Sequence, residues 1–281
     1  MISIIICSRT SALPLELSEN IDKTIGTEYQ LVTIDNSRNQ YNIFTAYQEG
    51  VRRSMGEYLC FVHDDVLFRT EGWGAKIVEH FKEDGVGAIG VAGTHFLPAI
   101  PSGWWEPEAV SENILHSVNV SGENVMEHSV KDEYKGLTDE LVAADGVFLC
   151  LRRSLFDKIS WDTQTFSGFH GYDLDICLQV LSAGYSVKMA WDILLEHHSL
   201  GNYSMPFLQA IQKVYDKWKD SLPIVRGITM SETEIKLRTR IVDLKHGYFK
   251  ENQSRYSKEY KVGNAILHPL SVIERRIKKN Q

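Results

Sequence analysis

Three apolar runs separated by two amphipathic segments fill the first 62 residues, and this order constrains the chain more than any other feature. Ile2 to Cys7 is apolar apart from Ser3, the pattern of a strand covered on both faces. Leu13 to Ile25 sets Leu15, Leu17, Ile21 and Ile25 among polar residues and predicts a helix. Tyr29 to Ile34 predicts a second strand, ending in Asp35-Asn36-Ser37. Asn42 to Met55 carries Ile43, Ala46, Tyr47, Val51 and Met55 near helical spacing, and Gly56 takes the place of a C-cap glycine. Tyr58 to Val62 is the third strand. Strand, helix, strand, helix, strand predicts a parallel sheet with right-handed crossovers.

Further on, Gly72 to Lys82 reads as a helix, and the glycine-rich run 85–93 as a fourth strand. Segment 94–140 is a long excursion with some strand content. Its prolines and the pair Trp104-Trp105 suggest a cover over a site, since loops of that length are seldom idle. Leu141 to Arg152 resumes a regular pattern, and Ser154 to Ile159 predicts a short helix. Leu174, Cys177, Leu178 and Leu181 share one helical face that Gly184 ends. Val187 to Leu195 predicts one more strand, leading into Glu196-His197-His198. Phe207 to Trp218, Glu232 to Leu244 and Ile266 to Lys279 predict three terminal helices.

A hydrophobic share of 43% and a charged share of 24% over 281 residues are those of an ordinary soluble globular protein. A net charge of -7 argues against nucleic acid as a partner. The four cysteines (Cys7, Cys60, Cys150, Cys177) form no CxxC and read as buried, reduced thiols of a cytoplasmic protein. No apolar run reaches the ~20 residues of a membrane span. The N-terminus reads as a strand, not as a signal peptide. Arg275, Arg276, Lys278 and Lys279 with Ile273 and Ile277 form either a solvated helix face or a peripheral contact with the cytoplasmic face of a membrane.

Ligands of open α/β sheets bind beyond the carboxyl ends of the strands. Asp35, the pair Asp64-Asp65 and the pair His197-His198 all fall at such ends. Carboxylate with imidazole suits Mn2+ or Mg2+, with phosphate oxygens in the remaining positions. Each residue also has a plainer reading. Asp64-Asp65 and Asp173 are good helix caps, Asp145 before Gly146 is a good turn residue, and Trp104-Trp105 is good core. His63 reads as a strand-end side chain with no direct role, and Asp175 as a solvated or capping residue.

The stretch "IDNSRNQYNIFTAYQEGVRRSMGEYLCFVHDDV" resembles the first half of a GT-A glycosyltransferase of family 2. "DGVFLCLRRSLFDKISWDTQTFSGFHGYDLDICLQVLSAGY" resembles the acceptor half of the same enzymes. The resemblance implies an α/β, Rossmann-like GT-A fold with a mostly parallel central sheet flanked by helices. It covers residues 1–203, divided into a nucleotide-binding half (1–93), the excursion (94–140) and an acceptor half (141–203). A C-terminal helical extension would occupy 204–281.

By the same resemblance His63-Asp64-Asp65 stands at the DxD motif. Asp65 would bind the metal, with His197 preferred over His198 because neighbouring strand residues point oppositely. Asp64 would lie near the donor sugar or ribose. Asp35, Asn36 and Asn42 would approach the nucleotide, and Cys7, Ser8 and Arg9 would border its base. Asp173 stands at the catalytic base, and Tyr172 replaces the glutamate that usually precedes it. Trp104, Trp105, Asp145, Gly146, Tyr172 and His198 are candidates for sugar and acceptor contacts. The implied reaction moves a hexose from a nucleoside-diphosphate donor, UDP-linked by family habit, to a hydroxyl of a glycan, lipid-linked or protein acceptor, as in polysaccharide biosynthesis. A single displacement with one base implies inversion, and Asp173 at a helix start is expected to have a lowered pKa. A sugar-phosphate nucleotidyltransferase or a dehydrogenase would need glycines after the first strand, where "ICSRTSALP" has none. A catalytically silent nucleotide-sugar binder on the same fold is the remaining rival.

Overall fold

The computed structural model describes residues 1–120, 123–130, 137–199 and 203–267, and of these the side chains other than those of 118–139 and beyond 252. Strands β1 (Ile2–Ser8), β2 (Tyr29–Asp35) and β3 (Tyr58–Val62) alternate with helices α1 (Leu15–Thr24) and α2 (Ile43–Arg53). β1 lies between β2 and β3, parallel to both, as the alternation predicts. Ile2, Ile4, Ile5 and Ile6 are inaccessible to solvent because helices cover the sheet on both faces.

Next come β4 (Val66–Phe68), helix α3 (Trp73–His80), β5 (Val86–Gly90), β6 (Ala92–Thr94) and β7 (Phe96–Leu97). The excursion is richer in strand than its sequence suggests: β8 (Val110–Val120), β9 (Glu123–Val130) and β10 (Leu137–Leu141) run through it. Then follow β11 (Ala143–Ala144), β12 (Phe148–Arg152), a short 3-10 turn at Arg153–Asp157, and α4 (Tyr172–Ser182). The single strand expected over Val187 to Leu195 is two strands, β13 (Ser186–Ala190) and β14 (Leu195–His197). Asp192 breaks the run between them, where it accepts from Lys76 Nζ at 3.3 Å and pairs with His80 Nε2 at 2.8 Å.

Two sheets result. The larger has the order β10-β13-β5-β12-β3-β1-β2. β12 runs antiparallel to both β3 and β5, so its start lies beside the carboxyl ends of its neighbours. The smaller has the order β11-β6-β8-β14-β4, with β9 on β8. β4 follows β3 after three residues, so the two sheets meet at the His63-Asp64-Asp65 turn.

The register of β12 on β3 sets Cys150 opposite Cys60, with Cα atoms 4.0 Å apart, and the two form a disulfide. This corrects the expectation of four reduced thiols; Cys7 and Cys177 are free. It also removes the cysteine argument for a reducing compartment. Among the described residues no helix is long and apolar enough to cross a membrane.

Helix α5 (Met205–Trp218) is followed by a 3-10 turn (Lys219–Ser221), the short β15 (Ile224–Val225), which pairs with β7, and helix α6 (Glu232–Leu267). α6 runs well past the expected Leu244. Past that point Gly247 interrupts a mostly polar run, which hides the continuing helix from a reading by apolar pattern. The basic cluster Arg275 to Lys279 lies outside the described residues.

Asp175, expected to be solvated or capping, is 1% exposed. Its carboxylate accepts from Trp218 Nε1 and Gln179 Nε2, each at 2.8 Å, and meets Lys217 Nζ at 2.8 Å. It therefore ties α5 to α4. Lys217→Met is expected to destabilise the fold by about 3 kcal/mol, because it leaves a buried carboxylate without its cation. The measure is the urea midpoint at constant slope. An unmoved midpoint would show that Trp218 and Gln179 alone satisfy Asp175.

Candidate active site

Four distant stretches of chain converge where the two sheets meet. The β3–β4 turn brings His63, Asp64 and Asp65, and β14 brings His197. The entry to β12 brings Asp145 and Gly146, and the first turn of α4 brings Tyr172 and Asp173. Burial is tolerable for these groups only because each finds a partner.

His63, Asp65 and His197 present ligand atoms that all lie within 4.8 Å of one another. His197 Nε2 is 3.5 Å and His63 Nδ1 is 3.9 Å from Asp65 Oδ1. The Tyr172 hydroxyl lies 2.8 Å from His63 Nε2, which orients the ring and turns Nδ1 toward the cluster. Burial, aided by the neighbouring His197, lowers the His63 pKa to about 4, so the ring is neutral at pH 7. Burial pushes Asp65 up, but the hydrogen bond and charge of His197 outweigh it and hold the carboxyl below its ordinary value. Two imidazoles and a carboxylate, with one ring braced from behind, fit a divalent cation of the Mn2+ type. His63, expected to be idle, is thus part of the cluster, while His198 is not. His198 N–H donates to the Asp65 carbonyl at 3.0 Å, and its exposed ring points toward Glu196.

Asp64 turns the other way. It accepts from Arg9 N at 2.8 Å and from Arg9 Nε at 2.9 Å, and Arg9 Nη2 also lies 3.2 Å from Asp65. This joins the ends of β1 and β3. Close by, the half-buried Cys7 has its pKa raised to about 11 by burial. Ser8 Oγ lies 3.1 Å from Thr10 Oγ1. Asn36 bonds the Tyr41 backbone in both directions, and Asn42 caps α2 by accepting from Thr45 N at 3.0 Å. Asp35 is exposed on the edge strand and accepts from Ser37 N at 2.9 Å. None of these residues lines the cavity described next.

A cavity of about 540 Å³ opens beside the cluster. His63, His197, Asp145, Tyr172 and Asp173 line one side; Trp104, Trp105, Phe169, Tyr203 and Phe207 line the other. Trp104 is 8% exposed and Trp105 37%, so the pair divides between packing and open wall. Glu112 and His116 of β8, hydrogen-bonded to each other, also face in. The register places His116 directly across from His197. Four residues apart, they share one strand face, but apolar Ile114 stands between them, so "SENILHS" shows no polar alternation that would mark that face.

Asp173 Oδ1 accepts from Leu174 N at 2.9 Å. The expected lowering of its pKa by the helix start is reversed. Burial first, and the charge of Asp145 second, raise it to about 7 against the backbone donors. Asp145, itself raised by burial, accepts from Val147 N at 3.0 Å. At neutral pH Asp173 is therefore poised to gain or lose a proton.

Gly146 is required by Tyr172: a Cβ there would stand 2.1 Å from the tyrosine hydroxyl. Gly146→Ala is expected to lose about 1–3 kcal/mol of stability through overpacking, with Tyr172 forced off His63. Thermal unfolding and the His63 imidazole resonances would check both. Unchanged resonances would mean the backbone yields instead.

A family model described as a glycosyltransferase-like family matches residues 3–197. The protein of Fuscovulum blasticum described as "ATP synthase subunits region ORF 6" is 27% identical over 188 residues, 66% of this chain and 69% of that one. Streptomycin biosynthesis protein StrF of Streptomyces griseus is 26% identical over 170 residues, and the match spans 58% of this chain and 55% of StrF. Among solved structures, GalNAc-T7 with UDP, GalNAc and Mn2+ superposes with a TM-score of 0.51 at 12% identity, over 79% of this chain and 49% of that one. That likeness shows a shared GT-A fold.

Proposed function

We propose that this chain, which belongs to the glycosyltransferase-like family whose model spans residues 3–197, transfers a sugar from a nucleoside-diphosphate donor to an acceptor hydroxyl with inversion. The observation that carries the reading is one shared cavity: His63 and His197 of the cluster, and Asp173, line the same walls. UDP is the nucleotide we favour, with Mn2+ or Mg2+ as the cation.

His63, Asp65 and His197 would hold the cation, which supplies Lewis-acid stabilisation of the leaving diphosphate. Arg9, with Ser8 and Cys7 beside it, would border the nucleotide at the end of β1, with Asp35 and Asn36 on the adjoining strand. The aromatic wall at Trp105 would face the apolar side of a sugar ring, with hydroxyls turned to the polar side. Asp173 would take the acceptor proton as the acceptor oxygen bonds to the anomeric carbon. The bond from that carbon to the phosphate oxygen breaks in the same step, and the electron pair leaves with the diphosphate. Tyr172, at the position where similar enzymes carry glutamate, braces His63 instead. That added role supports an active enzyme over a silent binder.

UDP is expected to raise the melting temperature in the presence of Mn2+ and not after chelation. Equal stabilisation by every nucleotide without metal would sink the donor assignment. Asp173→Asn is expected to lower turnover of the donor by about 10² to 10⁴ while UDP binding persists. A base must be ionised, so activity should rise with pH through the Asp173 pKa of about 7, moving to lower pH as the cation loads. A rate that falls over that range would assign Asp173 as an acid.

A further inference from the structure

Glu106 is a carboxylate with no exposure to solvent, on the loop that carries Trp104 and Trp105. It accepts from Gly103 N at 2.6 Å, from the Tyr203 hydroxyl at 2.9 Å and from His246 Nε2 at 2.9 Å. The first partner is the loop itself, the second lines the cavity, and the third belongs to α6. A buried carboxylate held only by its own loop would be costly, so the loop and α6 stabilise each other's placement.

The neighbouring residues repeat the link. Lys245 Nζ donates to the Glu106 carbonyl at 3.0 Å and meets Glu108 Oε1 at 2.7 Å. Arg238 Nη1 donates to the carbonyls of Pro107 and Glu108 at 2.9 and 2.8 Å. Glu108 has φ of 59°, a left-handed conformation that costs a non-glycine residue of order 1 kcal/mol. Arg238 holds the carbonyl of this residue and that of the residue before it. Trp105 stacks on Phe207 at 5.0 Å, and Phe207 contacts Tyr203 at 5.3 Å, so the fastened loop and the cavity wall are one packed unit.

The four groups just named that fasten the loop from outside it (Tyr203, Arg238, Lys245, His246) lie beyond the family-matched residues 3–197. We propose that Glu106 is a positioning residue through which α6 sets the tryptophan wall of the cavity. The chemistry then resides in the matched region, and the shape of the substrate-facing wall is set from outside it. That the wall's occupant is a sugar or acceptor rests on the function proposed above; that α6 sets the wall does not.

The test uses the full chain with Glu106→Gln, Glu106→Ala and His246→Ala, the last leaving the loop's sequence intact. Acrylamide quenching reports the wall, with Trp105→Phe identifying the Trp105 contribution. UDP with Mn2+, titrated by calorimetry, reports the donor side. His246→Ala and Glu106→Ala are expected to raise Trp105 quenching at least about twofold, as a wall released from its anchor would. Glu106→Gln should recover part of the difference, and the UDP dissociation constant should stay within about twofold of wild type. Quenching unchanged in a folded His246→Ala protein would overturn the proposal. So would a loss of UDP binding in step with quenching, which would mean general loosening. If wild type binds no UDP at all, the donor reading fails while the quenching result still decides this one.

Discussion

Charge withdrawn from water at one rim is the constraint on which the rest of the structure depends. Asp145 and Asp173 line one cavity with His63 and His197, and Asp65 sits beside it against His197. Neighbouring like charges drawn out of water cannot all ionise freely. The protein divides them by environment. Asp65 sits against His197 and stays ionised, whereas burial first and the charge of Asp145 second raise the Asp173 pKa to about 7. Two carboxylates of the same intrinsic acidity thus acquire different tasks.

Holding those groups in place occupies much of the surrounding architecture. Tyr172 reaches His63 only because Gly146 leaves room for its hydroxyl. Tyr172 itself packs edge-on against Tyr47 and Phe44 of α2. α4 is pinned from behind by the Asp175–Lys217 pair, and the aromatic wall is pinned by Glu106. The smaller sheet contributes His116 and His197 at matched register positions. A site of this kind needs two sheets, because one alone presents its strand ends along a single line.

Much of the candidate site is legible from residue type and position. Asp65 and His197 announce themselves as polar groups at the ends of apolar runs, where a folded sheet must place its crevice, whereas Asp173, at a helix start, is marked only by the family resemblance of its segment. His63 has the same position yet reads as idle, since nothing local shows that Tyr172 will brace it across 109 residues. Glu112, His116, Tyr203 and Phe207 escape notice because their segments carry no strand-end signature. The protonation of Asp173 is misread for a related reason. The local helix start favours the anion, but burial first and Asp145 second, both products of tertiary structure, oppose it more strongly.

The sequence by itself determined the alternation of β1, α1, β2, α2 and β3, because apolar periodicity is a property of neighbours along the chain. It also determined which strand ends carry carboxylate and imidazole. Only the tertiary structure decided that β12 runs against its neighbours, bringing Cys150 onto Cys60 and Asp145 to the rim. It likewise decided that Val187 to Leu195 divides between two sheets, and that Asp175 and Glu106 are buried anchors rather than surface charges. These outcomes depend on which distant groups share a low-dielectric space, and that is set by how sheets and helices stack, not by the spacing of residues in a segment.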